Sequence, residues 1–592
     1  MTTADGLEGL FPTPRVCEMR SGAPVAPTEP STIHDPDLPA QGYVLDVAPD
    51  AATIRHADDA GLRYARQTLA QIDAIGRRPV HVEDWPDFET RGYMLDISRD
   101  RVPTRKTLER FVDLLALARY NHLELYTEHT FEHPGHEVVW ADASPMSADD
   151  LRWLDARCHD VGIELVANQN CFGHMERWLQ HDPYRDRAET PEGHEIVPSV
   201  VRPPAVLAPT DDNAAFGLDL VRNQTAHLRS RTVNIGCDET FELGKGRSRD
   251  AVEARGREAV YAEHLARIAG PLLDDGYRVL FWGDILEADP SLVADLPDGD
   301  LVPVLWTYEQ PREGDDVLHL PERVRAIVTG LGIDPDRLSE GFAPKLTAFR
   351  DLGREFWVAP GTSTWNSLVG RIDNALANLL DAAESGLAAG ASGYLVTDWG
   401  DNGHLQPVSV SFGPLVYGGA VSWCAETNAD LDVAAVSDRL VFGDESGVLG
   451  AVLDTLGRQW GRTGRTVFNA SPLQAALCVG QWLFVSGRPD VDATLGVVEA
   501  IDAALTDLAD ARPTCVDGDL VVREVSHAAR MARHGALRIL ARAGVEGPTD
   551  ETLRDELRLL IDEYRELWLE RSRPGGLDDS VAHLEATLAA DR

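Results

Sequence analysis

Thr232-Val233-Asn234-Ile235-Gly236-Cys237-Asp238-Glu239 reads as a short buried strand that runs into a bend. Neighbouring residues of a strand point to opposite faces. A glycine ahead of an Asp-Glu pair therefore predicts that the chain turns there, letting both carboxylates border one cleft at the strand's C-terminal tip. Such a pair alone is common on protein surfaces. Its meaning depends on what the other strands end in.

Working outward, seven further segments have the same character: Tyr93–Asp96, Leu123–Tyr126, Ile163–Ala167, Val279–Trp282, Val302–Trp306, Phe356–Ala359 and Tyr394–Thr397. Amphipathic helical stretches lie between most of them, among them Arg105–Tyr120, Ala148–Val161, Ala251–Leu273 and Leu368–Gly386. Eight β-α units over roughly 300 residues predict an α/β chain with a (β/α)8 barrel at its centre. The Thr307–Leu338 connection is long for a loop and is expected to shape the cleft.

Residues 1–88 read as a small α/β N-terminal domain, with strands at Tyr43–Val47 and Ala52–Arg55 and a helix from Gly61 to Ile75. Pro79 to Pro86 reads as a linker. The barrel catalytic domain is expected over 89–412. From 413 to 592 the pattern is that of an α-helical C-terminal domain, with apolar residues at helical spacing in Val521–Leu540 and Glu551–Arg571.

A chain of 592 residues is too long for one ordinary core. A hydrophobic content of 43% and a charged content of 26% are those of a soluble globular protein. The formal charge of -42 argues against nucleic acid and anionic membranes as partners, since both need a basic footprint. No apolar run is long enough to span a bilayer. Met1-Thr2-Thr3-Ala4-Asp5 has neither a basic start nor an apolar core, so a cytoplasmic protein is expected. Seven scattered cysteines without CxxC spacing predict neither a disulfide framework nor a structural zinc site. Cys237, beside the carboxylates, is read as a small packed residue and not a nucleophile.

Barrel chemistry is carried at the C-terminal ends of the strands. There the sequence places Asp96 and Arg99, then Glu128, His129 and Glu132. Asn168-Gln169-Asn170 and His174 follow the third strand, and Asp238-Glu239 the fourth. The last four strands lead to Trp282 and Asp284, Trp306 and Tyr308, Trp365, and Trp399 with Asp401. Aromatics gathered at the exits of four consecutive strands, facing carboxylates, predict a carbohydrate site. Sugar rings stack apolar faces on indoles, while their hydroxyls seek charged or amide partners.

Several ordered motifs resemble glycoside hydrolase family 20, the exo-β-N-acetylhexosaminidases. Gly42-Tyr43 through Gln67-Thr68-Leu69 resembles the family's small N-terminal domain. Arg91-Gly92-Tyr93-Met94-Leu95-Asp96-Ile97-Ser98-Arg99 is similar to its first barrel strand. Gly236-Cys237-Asp238-Glu239 resembles its Gly-Gly-Asp-Glu signature, and Trp399-Gly400-Asp401 its Trp-Gly-Glu segment. Asn234 and Cys237 stand where the family often has His and the second Gly, which points to a divergent, cytosolic-type branch.

The resemblance implies a substrate-assisted mechanism. The substrate's acetamido oxygen attacks the anomeric carbon and forms an oxazolinium ion. Asp238 orients the acetamide and Glu239 serves as acid and then base. His174 stands near Glu239, with Glu128 to orient it. Arg91 is expected to bind the 3- and 4-hydroxyls, and Asp401 the 4- or 6-hydroxyl. Trp282, Trp306, Trp365 and Trp399 are expected to wall the terminal sugar. The family's acetamide-binding tyrosine after the seventh strand is missing, since Asn366 follows Trp365; Tyr308 is the candidate substitute. The implied partners are small glycans ending in N-acetylhexosamine, and a homo-oligomer is compatible with the sequence. No cofactor is implied. His129, His133 and His136 lack the spacing of a zinc-binding helix, so no metal is expected. Two alternatives remain open: a barrel glycosidase of another family with two separated carboxylates, and a non-catalytic sugar-binding protein.

Overall fold

The computed structural model describes residues 9–21, 29–99, 101–197, 200–288, 292, 296–312, 320–330 and 334–590. Met1-Thr2-Thr3-Ala4-Asp5 lie outside them. The N-terminal sheet contains β1 (Val16–Met19), β2 (Ser31–His34), β3 (Tyr43–Val47), β4 (Ala52–His56) and β5 (Val80–Asp84), in the order β1-β5-β3-β4-β2. Helix Asp59–Ala74 packs on β3 and β4, capped by the Asp58 side chain. The linker expected at Pro79–Pro86 is instead β5, paired antiparallel with both β1 and β3. Val80, Val82 and Asp84 are buried and alternate with half-buried His81 and Glu83, the period of a strand. Pro79 costs no ladder bond because it precedes the first paired residue.

The barrel follows: β6 (Thr90–Asp96), β7 (His122–Thr127), β8 (Glu164–Gln169), a two-stranded excursion of β9 (His194–Val197) and β10 (Val200–Arg202), then β11 (Thr232–Asn234), β12 (Arg278–Trp282), β13 (Leu301–Trp306), β14 (Trp357–Ala359) and β15 (Gly393–Asp398). The eight barrel strands close into a ring in chain order, every neighbour parallel, with β15 pairing back to β6. Each coincides with a segment read from the sequence. The helix expected over Ala251–Leu273 is two helices, Arg249–Arg255 and Arg257–Asp274, broken at Gly256 with φ +90°.

Phe412–Trp423 packs between Ile372–Ala389 and Arg105–Leu117 and completes the outer ring of helices. Beyond it the described chain is mainly helical, including Gly518–Arg542 and Asp550–Arg571. Within the Thr307–Leu338 connection, helix Glu322–Gly330 packs against β9; residues 313–319 and 331–333 lie outside the description. Among the described residues no helix is long and apolar enough to cross a membrane.

The barrel floor is polar and gathers on one carboxylate. Fully buried Glu124 accepts from the amides of Asn168 (2.7 Å) and Asn234 (3.0 Å) and lies 2.8 Å from His122 Nε2. The junction with the N-terminal sheet is also polar. Asp84 of β5 and Arg119 form an ion pair at 2.7 Å, both buried. Asp84 also accepts from the Tyr43 hydroxyl (3.0 Å) and the Trp423 indole (3.0 Å), so one carboxylate joins sheet, barrel and outer helix. Asp84→Ala leaves Arg119 buried without its carboxylate. It should lower stability by about 3–5 kcal/mol in urea unfolding; a loss below about 1 kcal/mol would mean that this pair behaves like a surface bridge.

Candidate active site

β11 ends at Asn234, whose carbonyl oxygen Oδ1 accepts the Gly236 N–H (3.0 Å) while its amide reaches the floor. The chain then leaves strand geometry altogether. Gly236, Cys237 and Glu239 have φ of +69°, +69° and +50°. Left-handed backbone is rare for non-glycine residues and marks a conformation held by its surroundings. A Cβ on Gly236 would stand 2.5 Å from the Asn170 side chain. That same Asn170 side chain accepts the Cys237 N–H (3.2 Å) and donates to Asp238 Oδ1 (2.7 Å), while Asp284 accepts the Glu239 N–H (3.1 Å). Cys237 is fully buried, and burial pushes its thiol well up, as a packed residue requires.

His174 draws the carboxylates together. Its Nε2 lies 3.2 Å from Asp238 Oδ2 and 3.4 Å from Glu239 Oε2, and its Nδ1 3.8 Å from Glu128 Oε1. Burial opposes its protonation, but Asp238 and Glu239 outweigh that and raise it to about 10. The two neighbours then part company. Burial would raise Asp238, yet the His174 charge, the Asn170 amide and Arg99 hold it below the usual range. Burial raises Glu239 above its ordinary value, and the Asp238 charge adds to that against the pull of His174. One acid is kept ionised and its sequence neighbour is biased towards protonation. Glu128, anchored by the Tyr126 hydroxyl (3.0 Å) and by its own N–H to Ser98 (2.7 Å), is raised by burial to about 7 despite Arg99.

The structure moves one expected residue out of the site. Arg91 lies at the start of β6 and is fully buried. It donates to the carbonyls of Arg119 and Phe88, to Gln41 and to the Tyr64 hydroxyl, and stacks over Trp423. It therefore serves the junction with the N-terminal sheet and cannot bind sugar hydroxyls. The arginine at the strand exit is Arg99, one β6 length further on. It pairs with Asp96 (3.0 Å) and Glu128 (3.3 Å) and lies over the rings of Tyr126 and Trp399.

Trp282, Trp365 and Trp399 share one cluster with Tyr126, and Trp306 and Tyr308 pack against it. Trp306 and Tyr308 stack at 5.2 Å, and Trp399 donates its indole N–H to the Tyr308 hydroxyl (2.9 Å). Trp282 and Trp365 are fully buried behind them, so their faces line the back of the wall. Asp401 is raised by burial, with the charge of Arg99 pulling the other way. Asn170, which the sequence places after the third barrel strand without a role, is the side chain that holds the bend. Of the histidines weighed for metal, His133 Nε2 lies 3.1 Å from Gln169 and His136 Nδ1 2.6 Å from the Tyr184 hydroxyl. Among the described residues no three His, Cys, Asp or Glu side chains gather as a metal site.

Comparison with known proteins adds to this geometry. Residues 9–85 match the family model of glycosyl hydrolase family 20, domain 2. Over 161 residues, 24% of the chain, the sequence is 29% identical to the beta-hexosaminidase of Emericella nidulans, a match that spans only 26% of that protein. In fold the chain is similar to the Flavobacterium johnsoniae chitobiase, with a TM-score of 0.55 at 15% identity over 94% of this chain and 99% of that one. It is also similar to the Streptomyces plicatus N-acetyl-beta-hexosaminidase in complex with Thio-NAglucal, with a TM-score of 0.50 at 16% identity over 70% of this chain and 90% of that one. Residues 9–85 thus match domain 2 of glycosyl hydrolase family 20, the barrel that follows shares its fold with the solved hexosaminidase and chitobiase, and the chain spans about a quarter of the length of the curated relative it matches.

Proposed function

We propose that this protein is a retaining exo-β-N-acetylhexosaminidase that releases terminal β-linked GlcNAc or GalNAc from small glycans. The observation that carries the reading is the left-handed bend that sets Asp238 and Glu239 on one imidazole, with His174 Nε2 3.2 Å from the first and 3.4 Å from the second, in surroundings that push the two acids in opposite directions. Paired acids whose environments drive them apart are what acid and anion roles require. Glu239 gives its proton to the departing oxygen and later takes one from water. Asp238 accepts from the acetamide nitrogen and stabilises the positive charge that develops as the acetamido oxygen closes on the anomeric carbon. Residues adjacent in sequence are poorly placed to straddle that carbon, so a nucleophile tethered within the substrate fits better than a second protein carboxylate. Tyr308, close enough to Asp238 for that charge to raise it further beyond burial, is the side chain we assign to the acetamide. A neighbour of the same fold was solved with Thio-NAglucal, which agrees with a site for this class of sugar.

Side-by-side hydrolysis of p-nitrophenyl β-GlcNAc, β-GalNAc and β-glucose tests the reading directly. The acetamido sugars should be cleaved and the glucoside very poorly. Asp238→Asn should lower kcat more than it raises KM. Efficient glucoside cleavage, or covalent trapping of a 2-fluoro sugar on a carboxylate, would favour the two-carboxylate alternative.

The rate should follow a bell in pH. It falls on the acid side as Asp238 gains a proton and on the alkaline side as Glu239 loses one. His174, raised to about 10, stays cationic across that window. Replacing it by Gln removes a positive charge from beside both acids, which makes both harder to ionise. Both limbs of kcat/KM should therefore move to higher pH in His174→Gln; unmoved or lowered limbs would remove His174 from this electrostatic role.

Arg99 takes the hydroxyl-binding role first given to Arg91. Arg99→Ala should weaken binding of GlcNAc about tenfold or more, the loss of a charged hydrogen-bond donor. Arg91→Met should leave that binding within about twofold and show its cost in stability. The reverse pattern, read by titration calorimetry, would restore Arg91 to the site.

A further inference from the structure

A cavity of about 260 Å³ lies among the strand-exit loops, apart from the catalytic carboxylates. Its walls come from the loop after β7, from the chain around the short helix Glu176–Leu179, and from the start of the last helix, Leu577–Ala590. Asp238, Glu239 and His174 do not line it, and neither does any tryptophan. A single water needs about 10–15 Å³ of such space, so there is room here for a sugar ring.

The walls are fixed to one another. The Trp178 indole donates to the Glu128 carbonyl (2.7 Å), which ties the second wall to the first. Arg177 pairs with Asp579 of the last helix at 2.8 Å, and the Gly575 N–H donates to the Ser144 hydroxyl (3.0 Å). A Cβ on Gly575 would stand 2.2 Å from the Ala143 carbonyl carbon, so the chain entering the last helix is seated hard against the loop. The cavity is therefore pre-formed, as binding sites usually are. One buried side chain in its lining is incomplete. His129 is 5% exposed, and its Nδ1 is sealed off without a hydrogen-bond partner. Burial, then the charges of Arg177, His181 and Arg99, lower it to about 3, leaving a neutral ring with one donor and one acceptor. With Nδ1 closed off, the ring can be satisfied only on the edge that opens on the cavity. Buried polar groups without partners are costly and rare, and a ligand in the cavity completes this one.

We infer that this cavity is a second carbohydrate site, separate from the catalytic cleft, which holds one neutral sugar ring through its hydroxyls. The choice of a sugar rests on the hexosaminidase reading above; the cavity itself does not. Each sugar hydroxyl can both donate and accept, and the lining offers both kinds of partner. The Arg177 guanidinium and the Gln180 amide donate, Asp142 and Asp579 accept, and the His129 ring does either. An anion is disfavoured, because Asp579 already matches Arg177 and Asp142 adds a further negative charge. Among the described residues no three His, Cys, Asp or Glu side chains gather to hold a metal ion. Val138, 55% exposed, offers an apolar surface for the face of a ring. His129 directly follows Glu128, and Arg177 is three residues past His174, so a glycan held here by one unit keeps its other units beside the cleft.

Ligand-observed NMR on the full chain, with the catalytic cleft filled by GlcNAc-thiazoline, reads this site alone. The probes are free GlcNAc, galactose and glucose. At least one should still receive saturation transfer from the thiazoline-loaded protein. Asp142→Ala removes a charged acceptor and should raise that sugar's dissociation constant about tenfold. Val138→Trp fills the opening and should abolish the transfer. Both residues are exposed, and thiazoline inhibition should stay within about twofold in either variant. Absence of transfer to all three sugars would overturn the site, as would transfer that both substitutions leave unchanged or tighter binding of glucuronate than of any neutral sugar. A native protein that the thiazoline does not inhibit would sink the hexosaminidase reading instead, and the two substitutions would still decide this one.

Discussion

Adjacent carboxylates can serve one cleft only if the chain between them stops behaving as a strand. That constraint governs this site. β11 is short, and left-handed backbone at Gly236, Cys237 and Glu239 replaces the alternation that would have sent Asp238 and Glu239 apart. The bend is held from outside. Asn170 grips it through the Cys237 N–H and Asp238, Asp284 grips the Glu239 N–H, and Gly173 lets the neighbouring loop approach so closely that a Cβ there would stand 2.2 Å from the Asp238 carbonyl oxygen. His174, itself at φ +52°, follows that glycine. Two loops, each with a non-glycine residue in a costly conformation, thus interlock to bring one imidazole between two acids.

The electrostatics follow from the interlock. A cation shared between two acids would normally lower both. Here the direct hydrogen bond and the Asn170 amide give Asp238 the larger benefit, and the Asp238 charge then works against ionising Glu239. Asymmetry of hydrogen bonding around a symmetric charge produces the division of roles. It also makes Glu128 and Arg99 part of the same balance, since they face the other ring nitrogen and Asp238 in turn.

The eight barrel strands were legible because buried parallel strands leave short apolar runs between amphipathic helices, and this chain keeps that rhythm. The Asp-Glu pair, His174 and the strand-exit aromatics were legible because strand order fixes which end of the barrel a residue joins. Arg91 misled for a geometric reason. It and Arg99 bracket β6, and a motif alone does not say at which end of a strand each arginine stands. Strand direction decides it: Arg91 enters at the floor, where Trp423, more than three hundred residues away in sequence, closes over it. β5 was missed because flanking prolines signalled a linker while the alternation between them signalled a strand.

The C-terminal helices enter the same logic. The loop that carries Trp365 continues into Asn366, whose side-chain oxygen receives Asn402 (3.0 Å) and Gln481 (2.8 Å), and whose carbonyl receives the Ser471 N–H (2.7 Å). Asn402 directly follows Asp401, and the next residue, Gly403, accepts a hydrogen bond from Ser580 of the last helix. Glu309, one residue past Tyr308, is held by Arg371 (2.8 Å) and the Asn469 N–H (3.0 Å). Three strand-exit loops of the site therefore have their outer hydrogen bonds completed by chain that lies beyond the barrel. The apolar core agrees, running without a break from the barrel's helices into the C-terminal ones. Loops this short of internal partners need a rigid external frame to keep side chains within the tolerance that catalysis demands. In this protein the frame behind the aromatic wall is the helical region, while beside Glu239 it is the β9–β10 hairpin. The two halves of the cleft are thus supported by different parts of the chain, and substitutions in one frame can alter that half with little effect on the other.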